Sequence, residues 1–231
     1  MPEGKQVQQM FTGIAARYDL LNHVLSGGID FYWWWRMARL SGAAPGKRML
    51  DVAAGTGDSS VALAKRGAEV VSTDFTHAML AFGPAKFRKK GLNGLIWASS
   101  DADAQKLPFK DATFDGITIC YGIRNVEVRE RAYAEFLRVL RPGGQLTILE
   151  FSTPVLPGLR GLYTWYSLKV LPRIGGWLSG DRSAYEYLPD SIRKFPDQKA
   201  LAAELEAAGF REVAWKNLTG GIVALHTGRK A

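Results

Sequence analysis

The sequence predicts an α/β fold in which a seven-stranded, mostly parallel sheet carries helices on both faces and ends in an antiparallel hairpin. From residue 47 onward, short apolar runs alternate with stretches of helical spacing, which is the pattern of a parallel sheet. The last two apolar runs, 212–218 and 222–229, are joined around Gly220-Gly221 without a helix between them, as in a hairpin. A length of 231 residues with 47% hydrophobic content suits one large domain with a full core.

The first 46 residues are expected to form a helical cap, because Ala44-Pro45-Gly46 marks a break before the alternating core of residues 47–231. Within the cap, residues 5–17 carry apolar side chains at helical spacing. Five consecutive aromatic residues, Phe31 to Trp35, follow after a glycine turn. They cannot all face one core on a regular element, so two interpretations stay open: a helix half in the core, or contact with a pocket or a membrane.

The core elements are predicted in order from runs of apolar residues and from glycines that end helices. The predicted strands are 48–53, 69–73, 95–99, 115–120 and 145–150, and the predicted helices are 58–66, 77–90, 129–140 and 197–208. Residues 151–196 break the alternation and are rich in aromatic and turn-forming residues, among them Tyr163, Pro172 and Tyr187. This insertion is expected to be a substrate lid, with a packing subdomain as the alternative.

The stretch Asp51-Val-Ala-Ala-Gly55-Thr-Gly57-Asp58 joins the first core strand to a helix through a Gly-x-Gly turn. Glycine permits strained turn angles and close approach of a ligand to the main chain, and the following helix offers free N–H groups. A dinucleotide-binding loop would carry a third glycine at Ser60, and Asp58 would repel a diphosphate. The loop is therefore suited to a ligand that lacks phosphate and carries a positive centre.

The second core strand ends at Asp74, where an acidic side chain can accept hydrogen bonds from both hydroxyls of a ribose. A Gly-x-Gly loop alone is weak evidence, and an ordinary turn is the alternative. The ordered series of strand, loop, helix, strand and terminal Asp favours an adenosine-type ligand. The sulfonium of S-adenosylmethionine fits the acidic loop.

Polar residues that follow other strands are expected at the same edge of the sheet, where open α/β folds bind ligands. Asp103 can accept a hydrogen bond from an adenine amino group, although a solvated loop acid fits its position equally well. Arg124 and Asn125 directly follow a buried strand and are well placed for chemistry. A surface salt bridge by Arg124 and a helix cap by Asn125 are the alternatives.

The formal charge of +8 fits nucleic acid, an anionic membrane or a basic proteome, but no run of five basic residues occurs. The densest basic group, Lys86 with Arg88, Lys89 and Lys90, is expected to be a solvated helix end. Without a bilayer-spanning apolar run or a signal pattern, a cytoplasmic protein is expected, with contact to a membrane surface as an option. The single cysteine, Cys120, offers no disulfide and no zinc cluster, so no metal is predicted.

These motifs give the chain a resemblance to the class I S-adenosylmethionine-dependent methyltransferases, through Asp51 to Asp58, Asp74, Phe114-Asp115 and Arg141-Pro-Gly-Gly144. More narrowly, the chain resembles the UbiE/MenG/COQ5 family over nearly its whole length. The motifs that carry this match are Met10-Phe11, Ile14-Ala15, Tyr18-Asp-Leu-Leu-Asn22, Tyr121-Gly-Ile-Arg-Asn-Val126, Glu150-Phe-Ser152, Tyr166-Ser167, Leu171-Pro172, Ile174-Gly175, Tyr185-Glu-Tyr-Leu188, Phe195-Pro196, Ala208-Gly-Phe210 and Leu218-Thr-Gly-Gly-Ile222.

The resemblance implies a Rossmann-like class I methyltransferase that C-methylates the ring of a prenylated quinol in menaquinone biosynthesis. A benzoquinol precursor in ubiquinone biosynthesis and a non-catalytic binding protein are the alternatives. No nucleic-acid partner is expected, and a homodimer is left open. The residues expected to bind S-adenosylmethionine are Asp51, Gly55, Thr56, Gly57, Asp74, Asp103, Ala104 and Cys120. Cys120 stands where many relatives have serine, which would donate a stronger hydrogen bond.

Methyl transfer to a ring carbon needs an in-line approach to the sulfonium and an electron-rich ring, so one quinol hydroxyl must lose its proton. Because arginine stays protonated, Arg124 is expected to stabilise the resulting phenolate and not to act as the base. Tyr18, Asp19 and Asn125 are expected to place a water or the ring.

Overall fold

The computed structural model describes residues 8, 9, 11–13, 15–170, 173 and 183–231. Of the predicted amino-terminal helix, residues 8–9 and 11–13 are helical and Ala15–Arg17 forms a 3-10 turn. The motif residues Met10, Ile14, Leu171, Pro172, Ile174 and Gly175 and the side chain of Tyr185 lie outside the described residues.

Within the described part of the chain, seven strands form one sheet. They are β1 Arg48–Val52, β2 Glu69–Asp74, β3 Ile96–Asp101, β4 Phe114–Cys120, β5 Leu140–Phe151, β6 Arg211–Leu218 and β7 Val223–Arg229. Their order across the sheet is β3-β2-β1-β4-β5-β7-β6. The pairs among the first five strands are parallel, and β7 is antiparallel to β5 and β6. The predicted seven-stranded, mostly parallel sheet with a terminal hairpin is confirmed.

The parallel register aligns the carboxyl ends of the central strands. Val52 at the end of β1 lies opposite Thr73 in β2 and Ile119 in β4, and Cys120 at the end of β4 lies opposite Leu149 in β5. The chain passes from β3 at one edge to β4 on the far side of β1, so the strand order reverses at β1 and β4. Ligands of open α/β sheets bind at such a switch point.

Strand β5 is longer than predicted, since the Arg-Pro-Gly-Gly segment was expected to be a turn before a strand at 145–150. Leu140 already pairs with Phe114, and the pairing with β4 is irregular between Phe114 and Gly116. The N–H of Gly143 donates to the carbonyl of Lys230, beyond the end of β7. Gly143 has a φ of 75°, so the predicted turn residues form an irregularity within β5 and not a break before it.

The helices are α1 Tyr18–Ser26, α2 Asp30–Leu40, α3 Asp58–Ala64, α4 His77–Leu80, α5 Gly83–Lys89, α6 Arg129–Val139, α7 Pro157–Trp165, α8 Ser183–Lys194 and α9 Gln198–Ala208. The single helix predicted over 77–90 is wrong, because two helices, α4 and α5, occupy this stretch. Pro84 stands in the first turn of α5. Its ring would collide with the carbonyl of Leu80 in a continuous helix, and it lacks the N–H to bond there.

The described part of the insertion at 151–196 is mostly helical and not turn-rich as predicted. It contains α7, the π-helical turn Tyr166–Val170 and α8. Proline does not prevent the first of these helices, because Pro157 stands in the first turn of α7, where its missing N–H needs no partner. Tyr163 therefore belongs to a helix, as does Tyr187 in α8.

The core has two apolar layers, one on each face of the sheet. Met49 packs into one layer and its neighbour Leu50 into the other, as the alternation of a strand requires. Helix α2 contributes Trp33 and Trp34 to the first layer, whereas Phe31 and Trp35 of the same aromatic run are exposed. The aromatic run is therefore a helix that is half in the core, and its buried members also line a cavity described below.

A buried polar cluster lies beneath the loop that follows β1. One carboxylate oxygen of Asp51 accepts hydrogen bonds from the hydroxyls of Ser59 and Ser60, both at 2.6 Å, and the other accepts one from Thr118 at 2.8 Å. Asp51 is fully buried. Burial raises its pKa to about 6, even though the three hydroxyl bonds act in the opposite direction.

We predict that ionisation of Asp51 destabilises the fold. The folded pKa of about 6 lies above the ordinary value of 3.8, so the favourable contribution of the neutral acid is complete at low pH and is lost as the pH rises through the folded pKa. Between about pH 4 and about pH 7, the unfolding free energy of the wild type should fall by about 3 kcal/mol relative to Asp51→Asn. Urea unfolding at several pH values measures this difference.

The control is Asp115→Asn, whose pH dependence should have the opposite sign. Partial burial raises the pKa of Asp115, but hydrogen bonds from the Arg48 N–H and the Arg141 guanidinium outweigh it and lower the pKa overall. The stabilisation by this carboxylate is present at neutral pH and lost on acidification. Parallel pH dependences for the two variants would contradict the assignment of Asp51.

Candidate active site

The loop between β1 and α3 is shaped by residues with positive φ, namely Ala53 at 53°, Gly55 at 57° and Gly57 at 91°. Gly57 immediately precedes α3, and a Cβ there would lie 2.5 Å from the ring of Phe87 in α5. Gly55 lies in a cavity wall, where a Cβ would lie 3.5 Å from Met79. The predicted glycine loop is present, but only Gly55 faces the cavity, while Gly57 makes room for α5.

Asp74 ties this loop to the end of β2. One carboxylate oxygen accepts a hydrogen bond from the N–H of Gly55 at 2.8 Å, and the other accepts one from the N–H of Thr76 at 2.7 Å. Burial raises the pKa of Asp74, and these two N–H bonds oppose the rise. The Thr76 side chain also hydrogen-bonds to Asp74. A carboxylate has about four acceptor positions, so Asp74 keeps acceptor capacity for a ligand hydroxyl.

A cavity of about 170 Å³ opens beside Gly55 and Asp74 at the carboxyl edge of the sheet. It is also lined by Asp103, Ala104 and Cys120, which the sequence predicts to bind the cofactor. Its other walls are mainly apolar or aromatic and include Phe11, Tyr18, Val52, Phe75, Met79, Ala102, Ile119, Tyr121 and Val126. We call it the cofactor cavity, because an acidic group at a glycine loop beside apolar walls fits an adenosyl group.

Asp103 and Cys120 are two of the polar residues that line the cofactor cavity. One oxygen of Asp103 accepts bonds from the backbone N–H of Gln105 at 2.8 Å and from its amide side chain at 3.2 Å. Burial raises the pKa of the Cys120 thiol well above its usual value, so this group is a neutral thiol. Cys120 can thus offer only a weak S–H donor to a ligand.

Three residues predicted to bind the cofactor do not line this cavity: Asp51, Thr56 and Gly57. Asp51 is engaged by the hydroxyls beneath the loop, and Gly57 packs against α5. Thr56 is buried, and its hydroxyl donates to Asp19. Asp51, Thr56 and Gly57 therefore shape the loop, whereas Gly55 and Asp74 face the cavity in which a ligand would bind.

Asp19, predicted to act in catalysis, does not line the cofactor cavity and lies in a charged cluster. The ammonium of Lys86 lies 2.7 Å from Asp19, 2.8 Å from Asp58 and 3.1 Å from the hydroxyl of Thr56. The prediction of a solvated helix end is therefore wrong for Lys86, whereas Arg88, Lys89 and Lys90 are exposed as predicted. The sequence pattern predicted that Asp58 would face the positive charge of a ligand, but Asp58 pairs with Lys86. The spacing of positions 19, 58 and 86 in the sequence gives no sign that these residues meet. The cluster fastens α1 to the glycine loop and to α5.

A second cavity, of about 620 Å³, shares Phe11, Tyr18 and Tyr121 with the cofactor cavity. Most of its walls are aliphatic or aromatic and come from α1, α2 and the insertion. These walls include Val24, Leu25, Ile29, Trp33, Trp34, Phe151, Leu159, Leu162, Tyr163, Trp165, Tyr166, Tyr187, Leu188 and Ile222. We call it the apolar cavity. Because the two cavities share these walls, an apolar ligand in this cavity would lie directly beside a ligand in the cofactor cavity.

Arg124 is the cation of the apolar cavity among the residues that the structure describes there. It is buried, and its Nη1 donates to Glu150 Oε1 at 2.8 Å and to the carbonyl of Tyr121. Its guanidinium carbon lies 5.7 Å from the centre of the Phe151 ring. The alternative of a surface salt bridge is wrong, because both charged groups are buried. Glu150 was not among the predicted site residues, although an acid at the end of an apolar strand was a signal for it.

Tyr18 and Asn125 lie where the two cavities meet. The Tyr18 ring lines both cavities, and burial raises its pKa despite a hydrogen bond with Asn22. Asn125 lines the cofactor cavity, and its Oδ1 accepts a hydrogen bond from the Tyr187 hydroxyl at 2.8 Å. The alternative of a helix cap is wrong, because Asn125 ends the 3-10 turn Ile123–Asn125 and Val128 precedes α6. Tyr121, with a φ of 57°, also lines both cavities and was missed as a site residue.

Comparison with known proteins agrees with this geometry. The family described as the ubiE/COQ5 methyltransferase family matches residues 2–230. A ubiquinone/menaquinone biosynthesis C-methyltransferase UbiE of Idiomarina loihiensis is 44% identical over 227 residues, with 97% of this chain and 90% of the relative covered. A demethylmenaquinone methyltransferase of Streptomyces avermitilis is 46% identical over 226 residues, with 98% and 95% covered.

Among solved structures, that of the cyclase SpnF superposes with a TM-score of 0.74 at 19% identity, over 100% of this chain and 97% of that one. At this identity the likeness supports the fold alone. The sequence relatives go further, since the similarity is strong and runs almost from end to end. The chain therefore belongs to the ubiE/COQ5 methyltransferase family and is an S-adenosylmethionine-dependent methyltransferase.

Proposed function

We propose that this chain methylates a ring carbon of a prenylated quinol, with demethylmenaquinol as substrate and menaquinol as product. The observation that carries the proposal is the apolar cavity, which shares a wall with the cofactor cavity and contains the buried Arg124. By their names, the two relatives above act in ubiquinone or menaquinone biosynthesis and on demethylmenaquinone. The benzoquinol precursor of ubiquinone is the second candidate, because an apolar cavity of this volume accepts either ring.

S-adenosylmethionine supplies the methyl group, which it carries on a sulfonium. We assign the ribose to Asp74, whose carboxylate keeps acceptor capacity beside its bonds to Gly55 and Thr76. Phe75, Met79 and Ala104 provide apolar walls for an adenine, and Asp103 provides an acceptor for its amino group. The residues present fit this cofactor, because a carboxylate is placed for the diol and no basic side chain lines the cofactor cavity in the described part of the chain.

The apolar cavity suits a ring that carries an isoprenoid tail. Burying such a tail is favourable by about 25 cal/mol for each Å² of apolar surface removed from water. The proposed cap, residues 1–46, and the proposed lid, residues 151–196, both contribute walls, so closure of these segments would shield the reacting ring from water. The lining offers no basic stripe for a nucleic acid. A homodimer is left open, and the site proposed above is assigned to residues of one chain.

Arg124 is proposed to stabilise the negative charge that develops on the ring oxygen when the quinol loses a hydroxyl proton. Its guanidinium is fixed on one side by Glu150 and the Tyr121 carbonyl, so it need not reorganise as the charge forms. Tyr18 lies between the cavities and is proposed to orient the ring toward the cofactor, with Asn125 held beside it by Tyr187. Asp19 acts indirectly, by fastening α1 through Lys86.

The reaction releases one proton in total. The hydroxyl proton leaves as the ring becomes nucleophilic, and a new bond forms between the ring carbon and the methyl carbon as the bond from that methyl to sulfur breaks. The ring carbon then loses its hydrogen as a proton, while the ring oxygen regains one, so that aromaticity is restored. A quinone has no ionisable ring hydroxyl, and this scheme therefore requires the reduced ring.

We predict that the purified protein transfers the ¹³C-labelled methyl group of S-adenosylmethionine to demethylmenaquinol. The label should appear on the ring carbon by NMR, and the matching quinone under oxidising conditions should remain unlabelled. The benzoquinol precursor, assayed in parallel with the same tail, tests the second candidate. Labelling of the quinone would contradict the phenolate scheme. Cofactor binding without labelling of either quinol would instead indicate a non-catalytic binding protein.

We further propose that the mouth of the apolar cavity contacts an anionic membrane surface, on the cytoplasmic side. Val24, Leu162 and Trp165 line the cavity and are 50%, 62% and 59% exposed. Arg36 and Arg39 flank the exposed Trp35 of α2, and the chain carries a formal charge of +8. No helix in the described ranges is long and apolar enough to cross a bilayer. A substrate with a long apolar tail is reached most directly by a protein whose cavity opens onto the lipid.

We predict that the double variant Leu162→Ser, Trp165→Ser binds anionic vesicles at least about tenfold more weakly than the wild type. The loss of two partly inserted apolar side chains costs on the order of 2 kcal/mol. Trp97→Ser is the matched control, because Trp97 is 65% exposed but lies on the edge strand β3 and does not line the cavity. Vesicle sedimentation at low salt measures binding, and added salt should weaken it. Equal losses for Trp97→Ser, or wild-type protein that stays in solution, would refute the surface.

A further inference from the structure

Glu150 stands behind Arg124 as seen from the apolar cavity. Arg124 lines the cavity, whereas Glu150 does not, and its side chain is 1% exposed. Glu150 Oε1 accepts from Arg124 Nη1 at 2.8 Å and from the N–H of Phe151 at 2.9 Å. The second oxygen lies 3.4 Å from the N–H of Arg124. The carboxylate thus contacts both the main chain and the side chain of the arginine without touching the space where a ligand would lie.

The charge of this pair sums to zero while both groups are ionised. A buried ion pair gives weak net stabilisation, because desolvation of two charges offsets their attraction. The pair also leaves the Nε of Arg124 without a hydrogen-bond partner among the residues described. A buried pair with an unsatisfied donor, placed at a ligand cavity, is better explained by function than by stability.

We propose that Glu150 is a positioning residue for methyl transfer, which holds the guanidinium of Arg124 in place and balances its charge so that the quinol hydroxyl ionises only at the reaction step. This inference rests on the function proposed above and deepens it. With Glu150 ionised, the pair presents a neutral polar end to a neutral ring hydroxyl. When negative charge develops on the ring oxygen, the edge of the guanidinium that Glu150 does not contact can stabilise this charge without side-chain movement.

Among the described residues, the other titratable groups that face Arg124 are phenols on three elements: Tyr18 on α1, Tyr163 on α7 and Tyr187 on α8. Burial raises the pKa of each, and Arg124 opposes the rise. Asp30 of α2 lies on another wall of the cavity and is paired with His23 at 2.6 Å. The phenols therefore stay neutral near neutral pH. The ionisable partners left for Arg124 in this range are Glu150 and the ring hydroxyl of the substrate.

The test is the pH dependence of kcat in three variants: Glu150→Gln, Glu150→Asp and Glu204→Gln. A glutamine oxygen at the Oε1 position keeps the bonds to Arg124 Nη1 and to the Phe151 N–H but removes the negative charge. The positive charge of Arg124 then has no neighbouring negative charge, so it favours ionisation of the quinol to the phenolate. We expect the midpoint of the kcat profile for demethylmenaquinol to fall by about one pH unit or more, so that the rate at about pH 7 rises about tenfold relative to the plateau.

Glu150→Asp keeps the charge but withdraws the carboxylate by one methylene from the guanidinium. We expect kcat to fall about tenfold or more, with KM and the affinity for S-adenosylmethionine changed less than about threefold. Glu204→Gln is the control, because Glu204 also pairs with an arginine, Arg129, at 2.7 Å, in a more exposed position outside both cavities. This control should lower Tm and leave the kcat midpoint where it is.

A purely structural role for Glu150 predicts a different outcome, in which both Glu150 variants lower Tm while the midpoint and kcat stay at the wild-type values. That result would overturn the inference while the wild type remains active on the quinol. An inactive wild type would overturn the proposed function itself, so the two failures are distinguishable. Where Glu150→Gln does not fold, the kcat of Glu150→Asp decides, and an unchanged kcat for it refutes the positioning role.

Discussion

Parallel pairing of the central strands is the constraint on which the site depends. Because β1, β2, β4 and β5 run in the same direction and in register, their carboxyl ends form one line across the sheet. The segments that follow them must therefore begin side by side. Gly55, Asp74, Arg124 and Glu150 each lie at or just after the end of a different strand, and this is how residues far apart in sequence come to surround two adjoining cavities.

Three groups of charged side chains among the described residues support these cavities: Asp51 and the pair of Arg124 and Glu150 are buried, and the cluster around Lys86 is partly exposed. Asp51 lies beneath the glycine loop among hydroxyl groups and shapes the loop from below. Lys86 joins α1 to the loop and to α5, and so holds Tyr18 against the cofactor cavity from outside. The pair of Arg124 and Glu150 alone reaches the apolar cavity, and there only through the arginine.

The sequence predicts the backbone part of this arrangement well and the side-chain part less well. Short apolar runs, terminal glycines and the acid at the end of β2 follow from local physical rules, so the sheet, the glycine loop and Asp74 are predictable. Which charged groups meet is decided by tertiary packing. Lys86 was predicted to be solvated, and Arg124 was predicted at the site but without its partner Glu150, because nothing in their own segments marks the carboxylates that they meet. The break before Pro84 is a local signal that the prediction of one long helix overlooked.

The central claim is that a guanidinium fixed beside the cofactor cavity stabilises the ionised quinol during methyl transfer. The most direct measurement is kcat for demethylmenaquinol with the double variant Arg124→Ala, Glu150→Gln, compared with Glu150→Gln alone, because this pair of proteins leaves no uncompensated buried carboxylate. The account predicts that kcat falls by about 10²-fold or more, as when one preorganised donor to a developing anion is removed, with unchanged affinity for S-adenosylmethionine. A kcat for the double variant equal to that of Glu150→Gln would contradict it.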